Sequence, residues 1–151
     1  MTVRQVHILD LPLLASWFER RSVARWFGPS WMGEIARDFN AQWLVRLIIE
    51  RDGEPVGYIQ RYDVSRAPLG PWSKAPDGAW GVDLFVAIRD YRRKGIGGEA
   101  LRLVLDELVI EQGPCTAIAD PDHGNKPARA FFAAMGFAEN KKTGLFERNC
   151  S

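Results

Sequence analysis

The 151-residue chain carries 20 Lys and Arg against 19 Asp and Glu, so its formal net charge is only +1. This balance argues against a chain-wide basic surface of the kind that binds nucleic acid or an anionic membrane, and we expect neither partner. No apolar stretch approaches the length of a membrane span, and the first residues lack the apolar core of a signal peptide. We therefore expect a cytoplasmic protein with one domain, residues 1–151.

Helix and strand signals alternate in the first half of the chain. Residues 2–6 are predicted to form a short strand, and Asp10 is predicted to cap a helix. The apolar residues of that helix recur at helical spacing: Leu11, Leu14, Trp17 and Phe18. A second helix is predicted over residues 33–41. Apolar runs on either side of residues 52–55 predict an antiparallel hairpin, and the Pro- and Gly-rich residues 65–79 predict a long surface loop.

The second half of the chain continues this alternation. Apolar residues at helical spacing predict a helix from Gly97 to just before Gly113, with a stripe of Leu101, Val104, Leu105 and Leu108. A further helix is predicted over residues 126–135. Four strands are predicted, at 80–88, 115–119, 137–140 and 145–149. Cys115 is expected to be a buried strand residue, and its spacing from Cys150 indicates neither a metal site nor a disulfide.

A basic, Gly-rich turn joins the predicted strand at 80–88 to the helix that follows it. Residues 92–97 read Arg-Arg-Lys-Gly-Ile-Gly. Free backbone N–H groups and the positive end of a helix form a binding site for an anion, so we expect a phosphate there. The spacing is neither the Walker pattern nor GxGxxG. Taken alone, these six residues fit a basic turn without a ligand as well as they fit a phosphate-binding turn.

Two further motifs accompany this turn. The hexapeptide Arg92 to Gly97 fits R-x-x-G-x-G, Asn125 to Ala128 fits N-x-x-A, and Gly136-Phe137 follows. With these motifs the chain resembles the GCN5-related N-acetyltransferases (GNAT). The resemblance implies an α/β (α+β) fold with a mixed, mostly antiparallel central sheet flanked by helices. It also implies direct transfer of an acetyl group from acetyl-CoA to a primary amine, without a covalent enzyme intermediate and without a metal.

The same resemblance implies a set of coenzyme-binding residues. They are Phe85, Val86, Arg92, Arg93, Lys94, Gly95, Ile96, Gly97, Gly98, Asn125, Ala128 and Phe132. Asn125 suits the N-cap of the final helix equally well, and both roles are compatible. Where relatives have a tyrosine that protonates the leaving thiolate, this chain has Phe132, so that general acid is absent, replaced, or water.

Three segments narrow the resemblance to one branch of the family. Residues 53–62 (GEPVGYIQRY), 80–87 (WGVDLFVA) and 119–121 (ADP) are similar to aminoglycoside 6'-N-acetyltransferases and siderophore-type N-acyltransferases. The sequence Gly81-Val82-Asp83 favours the aminoglycoside-like side, because the hydroxylysine-acylating relatives tend to have His at its third position. A hydroxylamine, a polyamine or a protein amine remains an alternative acceptor, and a non-catalytic coenzyme A-binding module remains an alternative function.

Asp83 is the candidate catalytic base. A primary ammonium must lose a proton before it can attack, so the site needs a base or a water path. A carboxylate within an apolar strand is unfavourable unless it is solvated or paired, which makes a cleft-facing position plausible. An exposed Asp on the outer face of a half-buried strand is the alternative. We expect the oxyanion to be stabilised by a backbone amide near Val86 or Ala87.

The acceptor site is expected to combine an acid with aromatic side chains. Asp120 follows the strand at 115–119 and matches an acidic residue of the aminoglycoside-like relatives, although an Asx turn before Pro121 is an equal alternative. Trp26, Tyr62 and Trp72 are candidates for an aromatic wall. The acid that the relatives place just ahead of the loop tryptophan is missing here. The resemblance allows a monomer or a homodimer.

Overall fold

The computed structural model describes residues 1–67 and 74–151. Within these residues seven strands form one sheet: β1 (Thr2–Gln5), β2 (Leu44–Arg51), β3 (Glu54–Asp63), β4 (Trp80–Val86), β5 (Cys115–Ala119), β6 (Ala138–Glu139) and β7 (Phe146–Cys150). The α-helices there are α1 (Leu11–Glu19), α2 (Arg21–Phe27), α3 (Trp31–Arg37), α4 (Ile96–Gln112) and α5 (Lys126–Ala134).

The sheet has the order β1-β2-β3-β4-β5-β7-β6. Its strand pairs are antiparallel except for β4 and β5, which are parallel. The predicted mixed, mostly antiparallel sheet flanked by helices is therefore confirmed. The β4–β5 register ends at Gly81 and Ile118, whereas β4 continues to Val86. Because the two strands separate beyond that point, the middle of the sheet opens into a cleft.

The sheet separates two apolar cores because successive strand side chains point to opposite faces. On one face, Val82 of β4 packs with the α4 stripe of Ala100, Leu101, Val104, Leu105 and Leu108. On the other face, Phe85 of β4 packs with Tyr58 and with α1 residues Leu14, Trp17 and Phe18. Burial of each large apolar side chain contributes about 1.5–3 kcal/mol, so both cores hold β4 in place.

Several predicted details differ from the structure. The helix predicted over 33–41 occupies Trp31–Arg37, and α2 was not predicted as a separate helix. Asp10 does not cap α1 with its side chain, because its carboxylate accepts hydrogen bonds from Arg4 and from the His7 amide. Cys115 is partly exposed at the start of β5, where it lies opposite Cys150. The loop predicted over 65–79 lies partly outside the described residues.

Candidate active site

A cavity of about 290 Å³ opens on the face of the sheet that carries α3. Four of its lining residues are acids: Glu34, Asp38, Asp83 and Asp120. Three are aromatic: Trp31, Trp43 and Tyr62. The Asp38 carboxylate is paired with Arg37 at 2.8 Å, so the other three acids are the ones available to a cationic ligand. We call this space the acidic cavity.

Asp83 enters the acidic cavity from β4, opposite Gln60 of β3 in the strand register. The Gln60 amide donates a hydrogen bond from Nε2 to Asp83 Oδ2 at 2.9 Å. Burial raises the pKa of Asp83 to about 6, with further upward contributions from Asp120 and Glu34, whereas the Gln60 hydrogen bond lowers it. A carboxylate with this pKa is mostly ionised at neutral pH and remains a competent proton acceptor.

Tyr62 and Asp120, two of the predicted acceptor-binding residues, line the same cavity. Burial raises the pKa of Tyr62 first, and the charges of Asp83 and Asp120 raise it further, so its hydroxyl stays protonated. The Tyr62 ring lies against Gly81, where any Cβ would overlap the ring atoms. The glycine of Gly81-Val82-Asp83 therefore makes room for the cavity wall beside Asp83.

Trp26 and Trp72 were the other two aromatic residues predicted for this wall. Trp26 does not line the cavity. The Arg25 guanidinium lies 4.5 Å from the centroid of the Trp26 ring. The Trp26 ring also lies near Gly124, where an added Cβ would be 3.9 Å from Trp26 Cζ3. That prediction is corrected, because α2 directs Trp26 toward the loop after β5. Trp72 lies outside the described residues. Trp31 and Trp43 line the cavity instead.

A second cavity, also of about 290 Å³, lies at the junction of β4, the Gly-rich turn and α4. It brings together ten predicted coenzyme-binding residues: Phe85, Val86, Arg92, Arg93, Gly95, Ile96, Gly97, Gly98, Ala128 and Phe132. Lys94 and Asn125 are not among its lining residues. Apolar surface from Leu84, Phe131 and Phe132 forms one part of the lining, and the turn backbone forms another. We call this space the loop cavity.

The start of α4 presents bare backbone to the loop cavity. Gly95 is the N-cap, with a φ of 78°, and no side chain caps the helix. The first-turn N–H groups of an α-helix have no intrahelical acceptor, so this end of α4 suits an anion. Gly97 and Gly98 also permit close packing: added Cβ atoms would lie 3.3 Å from Leu84 Cδ1 and 3.2 Å from Met135 Sδ.

Comparison with known proteins identifies the family of this chain. The family model described as "Acetyltransferase (GNAT) domain" matches residues 8–145. The chain belongs to the GNAT family. It is therefore an N-acetyltransferase, as predicted from the resemblance.

Two named relatives are similar to this chain over most of its length. The chain is 29% identical, over 152 aligned residues, to "Aminoglycoside N(6')-acetyltransferase type 1" from Klebsiella pneumoniae and to the protein of that name from Serratia marcescens. Each alignment covers 91% of this chain and 73% of the relative.

Two solved structures show the same fold at lower identity. The aminoglycoside acetyltransferase AAC(6')-Ib in complex with coenzyme A aligns with a TM-score of 0.83 and 22% identity, covering 98% of this chain and 94% of that one. AAC(6')-Ib in complex with paromomycin and acetyl-CoA aligns with a TM-score of 0.80 and 23% identity, covering 96% and 89%. These structures confirm the GNAT fold of the chain.

Arg92 has an internal structural role in this GNAT chain. Its Nε donates to Val86 O at 3.0 Å, and its Nη2 donates to Ala87 O at 3.0 Å and Ser22 Oγ at 2.8 Å. Arg20 also donates to Ala87 O, at 3.3 Å. The guanidinium of Arg92 thus connects the turn to the end of β4 and to α2 by hydrogen bonds.

The end of β4 also decides which amide can face the cleft. The Ala87 N–H donates to Val56 O at 2.8 Å, so it is not available to an oxyanion. This bond belongs to the antiparallel β3–β4 ladder, in which successive N–H groups alternate in direction. The Val86 N–H therefore points away from β3, toward the side where β4 and β5 have separated. Of the two amides predicted as oxyanion donors, Val86 remains.

Three predicted coenzyme-binding residues have structural roles, and the N-cap role of Asn125 was expected from the sequence. Asn125 Oδ1 accepts a hydrogen bond from the Ala128 amide at 3.2 Å, which makes Asn125 the N-cap of α5. Phe85 directs its ring into the core on the opposite face, where it stacks on Tyr58. Phe132 packs edge-on against Phe137 at a centroid distance of 5.2 Å and carries no hydroxyl.

Sequence reasoning missed Glu34, Trp31, Trp43, Arg46 and Gln60 as lining residues of the acidic cavity. Trp31, Glu34 and Asp38 recur at helical spacing and could have indicated one polar and aromatic helix face. Nothing in that spacing says which part of the sheet the face covers.

None of the helices in the described parts of the chain combines the length and the apolar character that a membrane crossing requires. Across residues 1–67 and 74–151, no three His, Cys, Asp or Glu side chains are grouped so that they could hold a metal ion.

Proposed function

We propose that this GNAT acetyltransferase transfers the acetyl group of acetyl-CoA to the 6'-amino group of an aminoglycoside, with residues 1–151 acting as one catalytic domain. The observation that carries the proposal is the position of Asp83, at the wall of a cavity that also contains Glu34 and Asp120. A cavity with three available carboxylates favours an acceptor with several ammonium groups. The names of the relatives aligned over 91% of the chain point to the same acceptor.

The loop cavity is the proposed site of the donor. The uncapped start of α4 would bind the pyrophosphate through backbone N–H groups, and the exposed Arg93 and Lys94 would add positive charge. The apolar lining from Leu84 and Phe131 would cover the neighbouring part of the coenzyme. Val86 would direct its N–H to the thioester oxygen on which negative charge develops.

Asp83 is the proposed general base for direct attack. Asp120 and Glu34 would hold cationic groups of the acceptor. Asp83 would remove a proton from the 6'-ammonium, and the neutral amine so formed would attack the thioester carbon and expel the coenzyme A thiolate. The Asp83 carboxylate lies on one face of β4 and the loop cavity on the other, and the gap between β4 and β5 would join them. Since Phe132 has no proton to donate, water would protonate the leaving thiolate.

A thiol-release assay with acetyl-CoA tests this proposal. The acceptor panel contains aminoglycosides with a 6'-amino group, matched aminoglycosides with a 6'-hydroxyl group, polyamines, hydroxylysine and basic peptides. We expect turnover only with the 6'-amino drugs. Turnover restricted to one of the other amines would refute the aminoglycoside acceptor and identify the class that replaces it.

Coenzyme affinity is measured in parallel by calorimetry. Tight coenzyme binding with no turnover on any amine would support the loop cavity and refute the acceptor. Sedimentation of the purified chain would distinguish the proposed monomer from the proposed homodimer. We propose no nucleic-acid or membrane partner, since the chain-wide charge is only +1.

A further inference from the structure

A row of buried polar side chains reaches Asp83 from within the core. Tyr58 is fully buried and Gln60 is 7% exposed, both on β3. The Tyr58 hydroxyl donates to Gln60 Oε1 at 2.6 Å, and Gln60 Nε2 donates to Asp83 Oδ2 at 2.9 Å. We call these three residues the buried polar string. Buried hydrogen-bonded groups hold one another in defined orientations, because a misdirected partner would leave a polar atom unsatisfied.

The direction of each hydrogen bond in the string is determined by its neighbours. Arg46 lies opposite Gln60 in the strand register, and its positive charge near the Tyr58 oxygen opposes the rise in the Tyr58 pKa that burial causes. A guanidinium has only donors, so the Tyr58 hydroxyl proton is directed to Gln60. Once Oε1 of Gln60 accepts that proton, only its NH₂ group can face Asp83. An ionised carboxylate is an acceptor alone, so this orientation matches the charged form of Asp83.

We propose that Gln60, oriented by Tyr58, is a positioning residue that keeps Asp83 ionised and leaves its second oxygen, Oδ1, for the acceptor amine. This inference rests on the proposed function, in which Asp83 is the base. Gln60 acts through Asp83 and takes no proton itself. Tyr58 acts one step further back, by fixing which end of the Gln60 amide faces the carboxylate.

The charges around Asp83 explain why such a residue is needed. Burial is the largest cause that raises the pKa of Asp83, and Asp120 and Glu34 add to it. The titratable and charged groups that face this region are Glu34, Arg37, Asp38, Arg46, Tyr58, Tyr62 and Asp120. The Gln60 N–H opposes the rise directly. Without that donor, Asp83 would bind a proton at higher pH.

Two substitutions test the string, with one matched control. Gln60→Met removes the donor while keeping a side chain of similar length, and Tyr58→Phe removes only the hydroxyl that orients Gln60. Ile59→Val is the control, because Ile59 lies between them on β3 but faces the opposite core. Thermal unfolding of each variant verifies that the fold is retained. Kinetics are measured as kcat and KM against pH with the best aminoglycoside acceptor.

We expect Gln60→Met to shift the acidic limb of the kcat/KM pH profile to higher pH by about one unit. A shift of this size corresponds to the loss of a hydrogen bond to a charged group. Tyr58→Phe should cause a smaller shift in the same direction, and Ile59→Val none. Above about pH 8, where Asp83 is ionised again in all variants, kcat should recover and KM should stay unchanged. A purely structural defect would not recover with pH.

A titration of the Asp83 carboxyl by ¹³C NMR, without substrate, is the second readout. We expect its midpoint to rise in Gln60→Met and, by less, in Tyr58→Phe. An unmoved or lowered midpoint in both variants would overturn the proposal that Tyr58 and Gln60 keep Asp83 ionised. A raised midpoint with an unmoved kcat/KM limb would show that Asp83 is not the base and would overturn the positioning role. Because the titration needs no substrate, it tests the string even if no aminoglycoside is acetylated.

Discussion

Asp83 is subject to opposing influences within a few ångströms. Burial, Asp120 and Glu34 disfavour its charge, whereas the Gln60 amide stabilises it, and its pKa rises to about 6 as a result. A base with a pKa near the working pH balances two needs, since it is ionised often enough to accept a proton and basic enough to hold it. The same balance has consequences for activity and for stability.

Asp83→Asn should reduce turnover by about 100-fold or more, the usual contribution of a positioned general base. Asn cannot accept the proton, yet it can still accept the Gln60 hydrogen bond, so the fold and the coenzyme affinity should be preserved. Steady-state kinetics and calorimetry with coenzyme A measure both effects. Asp106→Asn, on the exposed side of α4, is the matched control. Unaltered turnover in Asp83→Asn would remove Asp83 from the mechanism.

Asp83→Asn should also stabilise the protein at alkaline pH. In the unfolded chain Asp83 titrates at its ordinary pKa of about 4, and in the folded protein at about 6. Between these values the folded state binds more protons, so the Asp83 contribution to the free energy of unfolding falls as pH rises from about 4 to about 6. The Asp83→Asn variant avoids this loss, because an amide does not ionise.

Thermal unfolding measures this second effect. The midpoint of the Asp83→Asn variant should exceed that of the wild type at about pH 8, and the difference should shrink toward about pH 4. A difference independent of pH would mean that the carboxylate charge is not the cause.

At the scale of secondary-structure elements, the junction of β4 and α4 forms the loop cavity. Arg92 donates to Val86 O, Ala87 O and Ser22 Oγ, so one guanidinium connects the turn, the end of β4 and α2. The amide of Val86 and the start of α4 are therefore held in a common frame. A planar fork with several donors is needed for this, and a lysine ammonium cannot span the same acceptors.

Arg92→Lys should raise the dissociation constant of coenzyme A about tenfold, although the charge is kept, because the fastening of β4 to the turn is lost. Arg93→Lys is the matched control, since Arg93 is exposed and has no hydrogen bond of this kind among those described. Calorimetry gives both constants. Equal, small effects in the two variants would show that charge, and not the guanidinium fork, is what the loop cavity requires.

At the scale of the whole molecule, the sheet places apolar cores on both faces and leaves its centre open. Helix α4 covers one face through a continuous buried stripe, and α1 contributes to the core on the other. The cleft between β4 and β5 is stable because each strand is paired on its other side, with β3 and with β7. The stability of the site therefore depends on core residues that lie outside both cavities.

Leu101→Ala should lower the free energy of unfolding by about 2–5 kcal/mol, because Leu101 is fully buried in the stripe of α4 and its loss leaves a cavity. Leu103→Ala, on the same helix but 37% exposed, should change it by less than about 1 kcal/mol. Urea unfolding followed by fluorescence measures both values. Similar losses in the two variants would contradict the assignment of the α4 stripe as core.

Local signals determined most of the elements and the identity of the fold. The helical stripe of α4, the hairpin of β2 and β3, and the Gly-rich turn were all predicted from neighbouring residues, because periodicity, caps and turns depend on contacts a few residues apart. The same motifs identified the family, and ten of the predicted coenzyme-binding residues line one cavity. The break between α1 and α2 and the bounds of α3 were missed, since short helices have weak periodic signals.

Only the tertiary structure decided how side chains from distant segments meet. Glu34, Asp83 and Asp120 share a cavity although long stretches of sequence separate them. The orientation of Gln60 depends on Tyr58 and Arg46, and the role of Arg92 depends on carbonyl groups at the end of another element. These contacts are set by how helices pack on the two faces of a splayed sheet. Sequence spacing carries no measure of such through-space distances, which is why the chemistry of the site required the fold.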